Sequence, residues 1–117
     1  MIAFLSPAKN MRPAPAPGVP LTRPVFQREA DRLAALLRGY SPWELESLLQ
    51  INPSLAMKAA GYYQDFAEAP VTAALSAYHG LAYQHLDAAS LTPEDYAWAG
   101  DHLRILSALY GVLRPAD

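Results

Sequence analysis

Ile2, Ala3, Phe4 and Leu5 are apolar without a break, and Ser6-Pro7 ends the run. So short a stretch before a turn signal predicts a buried strand whose carboxyl end feeds a loop. Periodicity then disappears across residues 6–24, where Pro7, Pro13, Pro15, Pro17, Pro20 and Pro24 fix φ and remove backbone donors. An extended, polyproline-like loop is expected there. From Val25 to Arg38 the apolar positions Phe26, Ala30, Leu33 and Leu37, flanked by Ala34 and Leu36, have helical spacing, and Gly39 stops the pattern.

Ser41-Pro42-Trp43-Glu44 supplies a complete helix start: Ser as N-cap, Pro where a missing N–H is harmless, and Glu placed to reach back. Asn52-Pro53 interrupts this helix and opens another, with Leu55, Ala59, Tyr62 and Phe66 as its expected stripe. Residues 42–66 are thus read as a helix-turn-helix pair turning at Gln50 to Ser54. VTAALSAY after Pro70 reads as helix to Gly80, while LAYQHLD fits a helical turn or a strand. Thr92-Pro93-Glu94-Asp95 repeats the capped start, with Tyr96, Ala99 and Leu103 expected on the inner face. LRILSALYGVL fits a continued helix or a buried strand near residues 103–107, which periodicity does not separate; the strand is the reading adopted, with Gly111 and Arg114-Pro115 in a loop at its carboxyl end. The fold class is mixed α/β of the α+β type, with short strands and several helices, in one domain.

Composition narrows the classes. Of 117 residues, 52% are hydrophobic and 17% charged, which excludes a disordered chain. No apolar run is long enough to span a bilayer, and MIAFLSPAK lacks the basic start and length of a signal peptide, so no membrane partner is expected. With no cysteine, a reducing cytoplasm is the expected location. The net charge of -2 hides an asymmetry: Met1 to Lys58 carries +3 and the remainder -5. A basic face toward an anionic partner is compatible with this.

His79, His85 and His102 do not form a metal-binding spacing, and no metal or cofactor is expected. The loop after the first strand carries Ser6 and Lys9, where a lysine can hold a phosphate, act as a base when desolvated, or simply be solvated. Tyr110 and Arg114 beside Gly111 pose the same choice between a stacking and anion-binding pair and ordinary packing. Tyr62, Tyr63, Phe66, Tyr78, His79, Tyr83 and His85 form an aromatic-rich middle, most of it expected in the core.

SPAKNM, INPSLAMKAAGYYQDF, AYHGLAYQHLDAASLTPEDYAWA and HLRILSALYGVLRPAD, in this order, resemble the YaaA family of peroxide-stress proteins. Ala108 stands where LSGLYG would have a glycine. The resemblance implies a cytoplasmic peroxide-stress protein that binds double-stranded or distorted DNA through a basic cleft and helps limit free intracellular iron. It also implies that these residues are the N-terminal half of a longer fold, which would leave a sheet edge and an apolar face uncovered. On this reading Lys9, Arg12, Lys58, Arg104, Tyr110 and Arg114 contact DNA, and residues 42–66 resemble a helix-hairpin-helix, although Ile51–Ser54 contains no glycine. No obligate protein partner is implied. The alternative is an enzyme, with Ser6, Lys9 and Tyr110 as catalytic groups and Arg114 as anchor for a phosphate- or carboxylate-bearing small molecule.

Overall fold

In the computed structural model, which describes all residues Met1–Asp117, Ala3–Leu5 forms β1 and pairs in parallel with β4, Leu103–Ser107. The register sets Leu5 against Ile105, and β5 (Gly111–Leu113) returns antiparallel with Leu113 also opposite Ile105. The sheet order is therefore β1-β4-β5. A second, two-stranded ribbon joins β2 (Asn10–Met11) to β3 (Tyr78–His79) in antiparallel register.

The helices are α1 (Gln27–Arg38), α2 (Pro42–Leu49), α3 (Pro53–Gln64), α4 (Ala74–Ala77), α5 (Leu81–Leu86) and α6 (Pro93–His102), with a 3-10 turn at Ala88–Ser90. No helix is long and apolar enough to cross a membrane. The chain divides into two compact units: Met1–Gln27 together with Val71–Asp117, and Arg28–Pro70.

In the first unit one row of the sheet, Leu5, Ile105 and Leu113, faces Leu75, Tyr83 and Tyr96 from α4, α5 and α6. Ile105 is wholly buried. The capped start of α6 forms as its sequence predicts: Thr92 Oγ1 accepts from the Asp95 N–H at 3.2 Å, and Asp95 Oδ2 accepts from the Thr92 N–H at 2.8 Å. That helix runs through Gly100 and buries Tyr96 and Ala99. The Tyr96 hydroxyl lies near Ser76 without a well-formed hydrogen bond.

In the second unit the Ser41 capping box is in place, with Glu44 Oε2 accepting from the Ser41 N–H at 2.7 Å. This bond, reinforced by the Ser41 hydroxyl, lowers the Glu44 pKa. Asn52 Oδ1 caps α3 by accepting from the Leu55 N–H at 2.8 Å. Between these helices Gln50 adopts a left-handed conformation, φ 52°, and the Ile51 N–H donates to the Glu46 carbonyl at 3.2 Å. Arg38 Nε donates to the Tyr63 carbonyl and Gln64 Nε2 to the Arg38 carbonyl, which ties the end of α1 to the end of α3.

Several expectations change. The loop at 6–24 is interrupted by β2, because Ala8 to Arg12 is a proline-free gap that keeps the N–H groups a ribbon needs. Gly111 is not in a loop but opens β5, where φ +71° lets the chain reverse after Ser107. The helix in VTAALSAY is confined to Ala74–Ala77, since Tyr78 and His79 extend to pair with β2; LAYQHLD resolves as helix α5. On α3 the inner face is rotated from the expected stripe: Ala56 is buried, while Leu55 and Tyr62 are exposed and Phe66 lies beyond the helix. Small side chains admit close packing there, and the large ones turn outward. The aromatic-rich middle is no single core, because its members fall in both units and only Tyr83 is buried.

Candidate functional site

The segment after β1 is held at every second or third residue. The Tyr83 hydroxyl donates to the Ser6 carbonyl at 2.6 Å, and the Tyr83 ring stacks on Tyr78 with centroids 5.4 Å apart. Burial and then the neighbouring Tyr78 raise the Tyr83 pKa, so its proton stays on the oxygen and available for donation. Ala8 packs against the core beside Gly80, where an added Cβ would lie 2.9 Å from the Ala8 Cβ. Glycine is required at position 80 by this approach, since its own φ of -159° is ordinary extended backbone. Asn10 pairs with His79 and Met11 with Tyr78, and the Arg12 N–H donates to the Ala77 carbonyl at 2.7 Å.

The consequence is a fixed backbone with free cationic heads. Lys9 and Arg12 are both exposed, and neither side chain has a hydrogen bond or ion pair. Arg23 is the remaining charged side chain of Met1–Gln27, a segment without any acid. Beside this ribbon His79 Nε2 lies 3.2 Å from Gln84 Nε2. Sequence reading missed Tyr83, Gly80 and this His79–Gln84 pair as builders of the loop; the glycine between two apolar runs was their one available signal.

The parallel pairing of β1 and β4 places the Ser6–Lys9 segment and the Ser107–Tyr110 turn at the same end of the sheet. Tyr110 packs partly against the core, and its N–H donates to Ser107 Oγ at 3.1 Å. Arg104 and Arg114 belong elsewhere. Because β5 runs back, Arg114 follows Leu113 toward the level of Arg104, at the amino end of β4.

Both of these arginines are engaged in structure. Arg104 Nη1 donates to the carbonyls of Gly100 at 2.6 Å and Leu103 at 2.8 Å, at the end of α6. Arg114 Nη2 lies 2.9 Å from Asp117 Oδ1 and also donates to the Arg23 carbonyl at 2.8 Å. The turn that carries Arg114 is locked further by Ala74 and Leu75, whose N–H groups donate to the carbonyls of Asp117 and Pro115. Lys58 is an exposed cation on α3 in the other unit, where acids outnumber bases. No group of three or more His, Asp or Glu side chains is arranged to share a metal ion. His102 instead stacks on Trp98, ring centroids 4.0 Å apart, with Nδ1 2.7 Å from the Trp98 carbonyl oxygen.

The motifs that build this geometry, SPAKNM and LYGVLRPAD, are covered by a family model described as "Peroxide stress protein YaaA", which matches residues 1–117. The chain belongs to the YaaA family. A UPF0246 protein from Paracidovorax citrulli is 44% identical over 124 residues, covering 100% of this chain and 48% of the relative. UPF0246 proteins from Roseobacter denitrificans and Acaryochloris marina are 43% and 39% identical over 121 residues, with 46% and 48% of each relative covered. This YaaA-family chain thus spans about half the length of the curated relatives it matches, their N-terminal half.

Proposed function

We propose that this YaaA-family protein serves the peroxide stress response by binding DNA, chiefly through phosphate contacts from Lys9 and Arg12. The observation that carries the reading is the pinned β2 segment: two unpaired cations on a backbone fixed by Tyr83, Gly80 and β3, in a stretch with no acid. Cations held this way lose little freedom when a phosphate arrives, and a phosphate-directed surface reads charge more than sequence. Lys58 adds a further exposed cation to the same reading.

Arg104 and Arg114 enter the proposal as supports of the fold, since their guanidinium groups already hold carbonyls and Asp117. A helix-hairpin-helix role for α2 and α3 is left out, because acids outnumber bases in that unit and its turn carries Gln50. Limitation of free intracellular iron and a cytoplasmic location belong to the proposal only as what the resemblance implies; the matched family description itself gives peroxide stress.

Fluorescence polarisation of labelled duplex and bubbled duplex over a salt series tests the reading. We expect log affinity to fall linearly with log salt, and Lys9→Ala with Arg12→Ala to reduce that slope by about 2, near 0.9 for each phosphate no longer neutralised. Salt-independent binding, or a slope untouched by the pair, would overturn it. The pocket reading with Ser6, Lys9, Tyr110 and Arg114 gains no geometric support, since Arg114 lies at the level of Arg104 and is bound by Asp117.

A further inference from the structure

The sheet has a second face. Side chains alternate along strands, so the row Leu5, Ile105, Leu113 that meets the helices implies an opposite set: Phe4 beside Arg104, and Leu106 beside Val112. Phe4 is 64% and Leu106 45% exposed, whereas Ile105, between the register levels of the two, is 0% exposed. Strands with water on one face alternate apolar and polar residues; strands buried on both faces are apolar at both parities. IAFL and the Ile105-Leu106 step follow the second pattern.

We infer that this outer face is a docking surface for the part of a YaaA-family chain that lies C-terminal to the matched segment, which packs an apolar layer on Phe4, Leu106 and Val112. Two observations select that occupant. The relatives each carry the matched segment as a near-constant 46–48% of their length, so this sheet occurs together with a comparable length of further chain. The strand order also leaves β1 and β5 as edges, so the added layer can extend the sheet as well as cover it. Arg104 brings no bare charge to the patch, because its guanidinium is held by the Gly100 and Leu103 carbonyls.

Cysteine accessibility tests this, since the chain has no native cysteine. Leu106→Cys probes the face, and Trp98→Cys, at a residue 65% exposed on α6, is the control. Labelling by a small maleimide is read by peptide mass spectrometry in the 117-residue chain and in a fusion carrying the C-terminal half of the Paracidovorax citrulli relative. The same substitution is made at the aligned position of the intact relative, a protein of natural length. Labelling at Leu106→Cys slowed at least about tenfold in the fusion or the relative, with the control within about twofold, is the expected result. Equal labelling in all three would overturn the proposal. Protection already present in the 117-residue chain, and growing with its concentration, would overturn it in favour of pairing between copies.

Discussion

Asp117 Oδ1 sits 2.9 Å from Arg114 Nη2, and the Asp117 side chain is wholly shielded from solvent. The carboxylate also accepts from the Arg114 N–H at 2.8 Å and from the Thr22 hydroxyl, so one side chain gathers the LRPAD turn and the end of the proline-rich segment. Burial pushes the Asp117 pKa up, but the hydrogen bonds from Arg114 and Thr22 outweigh it and the net shift is downward from 3.8. A lowered folded pKa means that the unfolded chain takes up the proton first as pH falls. This contribution is complete above about pH 4, the ordinary carboxylate range, and is lost as pH drops through the folded value. Asp117→Ala should lower stability at pH 7 by about 1–3 kcal/mol, the usual penalty for stranding a buried partner. Urea denaturation at pH 7 and in a series below pH 4 checks both parts: the wild type weakens with acid, and the variant weakens less.

Gly80 and Ala8 should behave as a coupled pair. Gly80→Ala places a methyl 2.9 Å from the Ala8 Cβ, so it should destabilise by about 1–3 kcal/mol through overpacking. Ala8→Gly removes the obstacle. In the double variant the effect of Gly80→Ala should shrink by more than half, and a thermal double-mutant cycle that came out additive would refute the contact.

Gln50 occupies a left-handed position that glycine adopts without a Cβ clash. Gln50→Gly should therefore raise stability by about 0.5–1 kcal/mol despite greater freedom in the unfolded chain. The expected signature is a shift in the denaturation midpoint at unchanged slope.

Alternation on β4 makes adjacent residues respond in opposite ways. Ile105→Ala, at a position with 0% exposure, should cost about 2–5 kcal/mol in cavity and transfer terms. Leu106→Asp in the 117-residue chain should cost only about 1 kcal/mol, the span of strand propensity at a half-exposed position. Comparable losses of stability from the two would mean that both faces are already covered.

The helices were legible because their starts are chemical signals local in sequence. Ser41-Pro42-Trp43-Glu44 and Thr92-Pro93-Glu94-Asp95 form the capping boxes their spacing predicts. The mixed α+β class was legible too; the strand at Leu103–Ser107 was separated from a helix only by the expectation of a loop at Gly111, so the element was right although Gly111 itself opens β5. The ribbon of Asn10–Met11 with Tyr78–His79 was not legible, since two residues carry no period and their partners lie far along the chain. The inner face of α3 was misassigned for a related reason: Ala56 is small, and a hydrophobicity pattern weights Leu55 and Tyr62 more heavily than the alanine that packs. For the candidate site, SPAK pointed to Lys9, but residue types alone could not separate it from Arg114. Asp117, three residues on, settles the state of that guanidinium, and only the folded turn brings it round.

The pairing of Ala3 with Leu103 joins residues about a hundred positions apart. Topology of this kind slows folding, because closing so long a loop precedes any reward from the contacts it allows. During synthesis at about 5–20 residues per second, β1 leaves the ribosome several seconds before the strand it pairs with exists. Throughout that interval Ile2, Phe4 and Leu5 are a sticky leading segment whose partner strand has yet to be made.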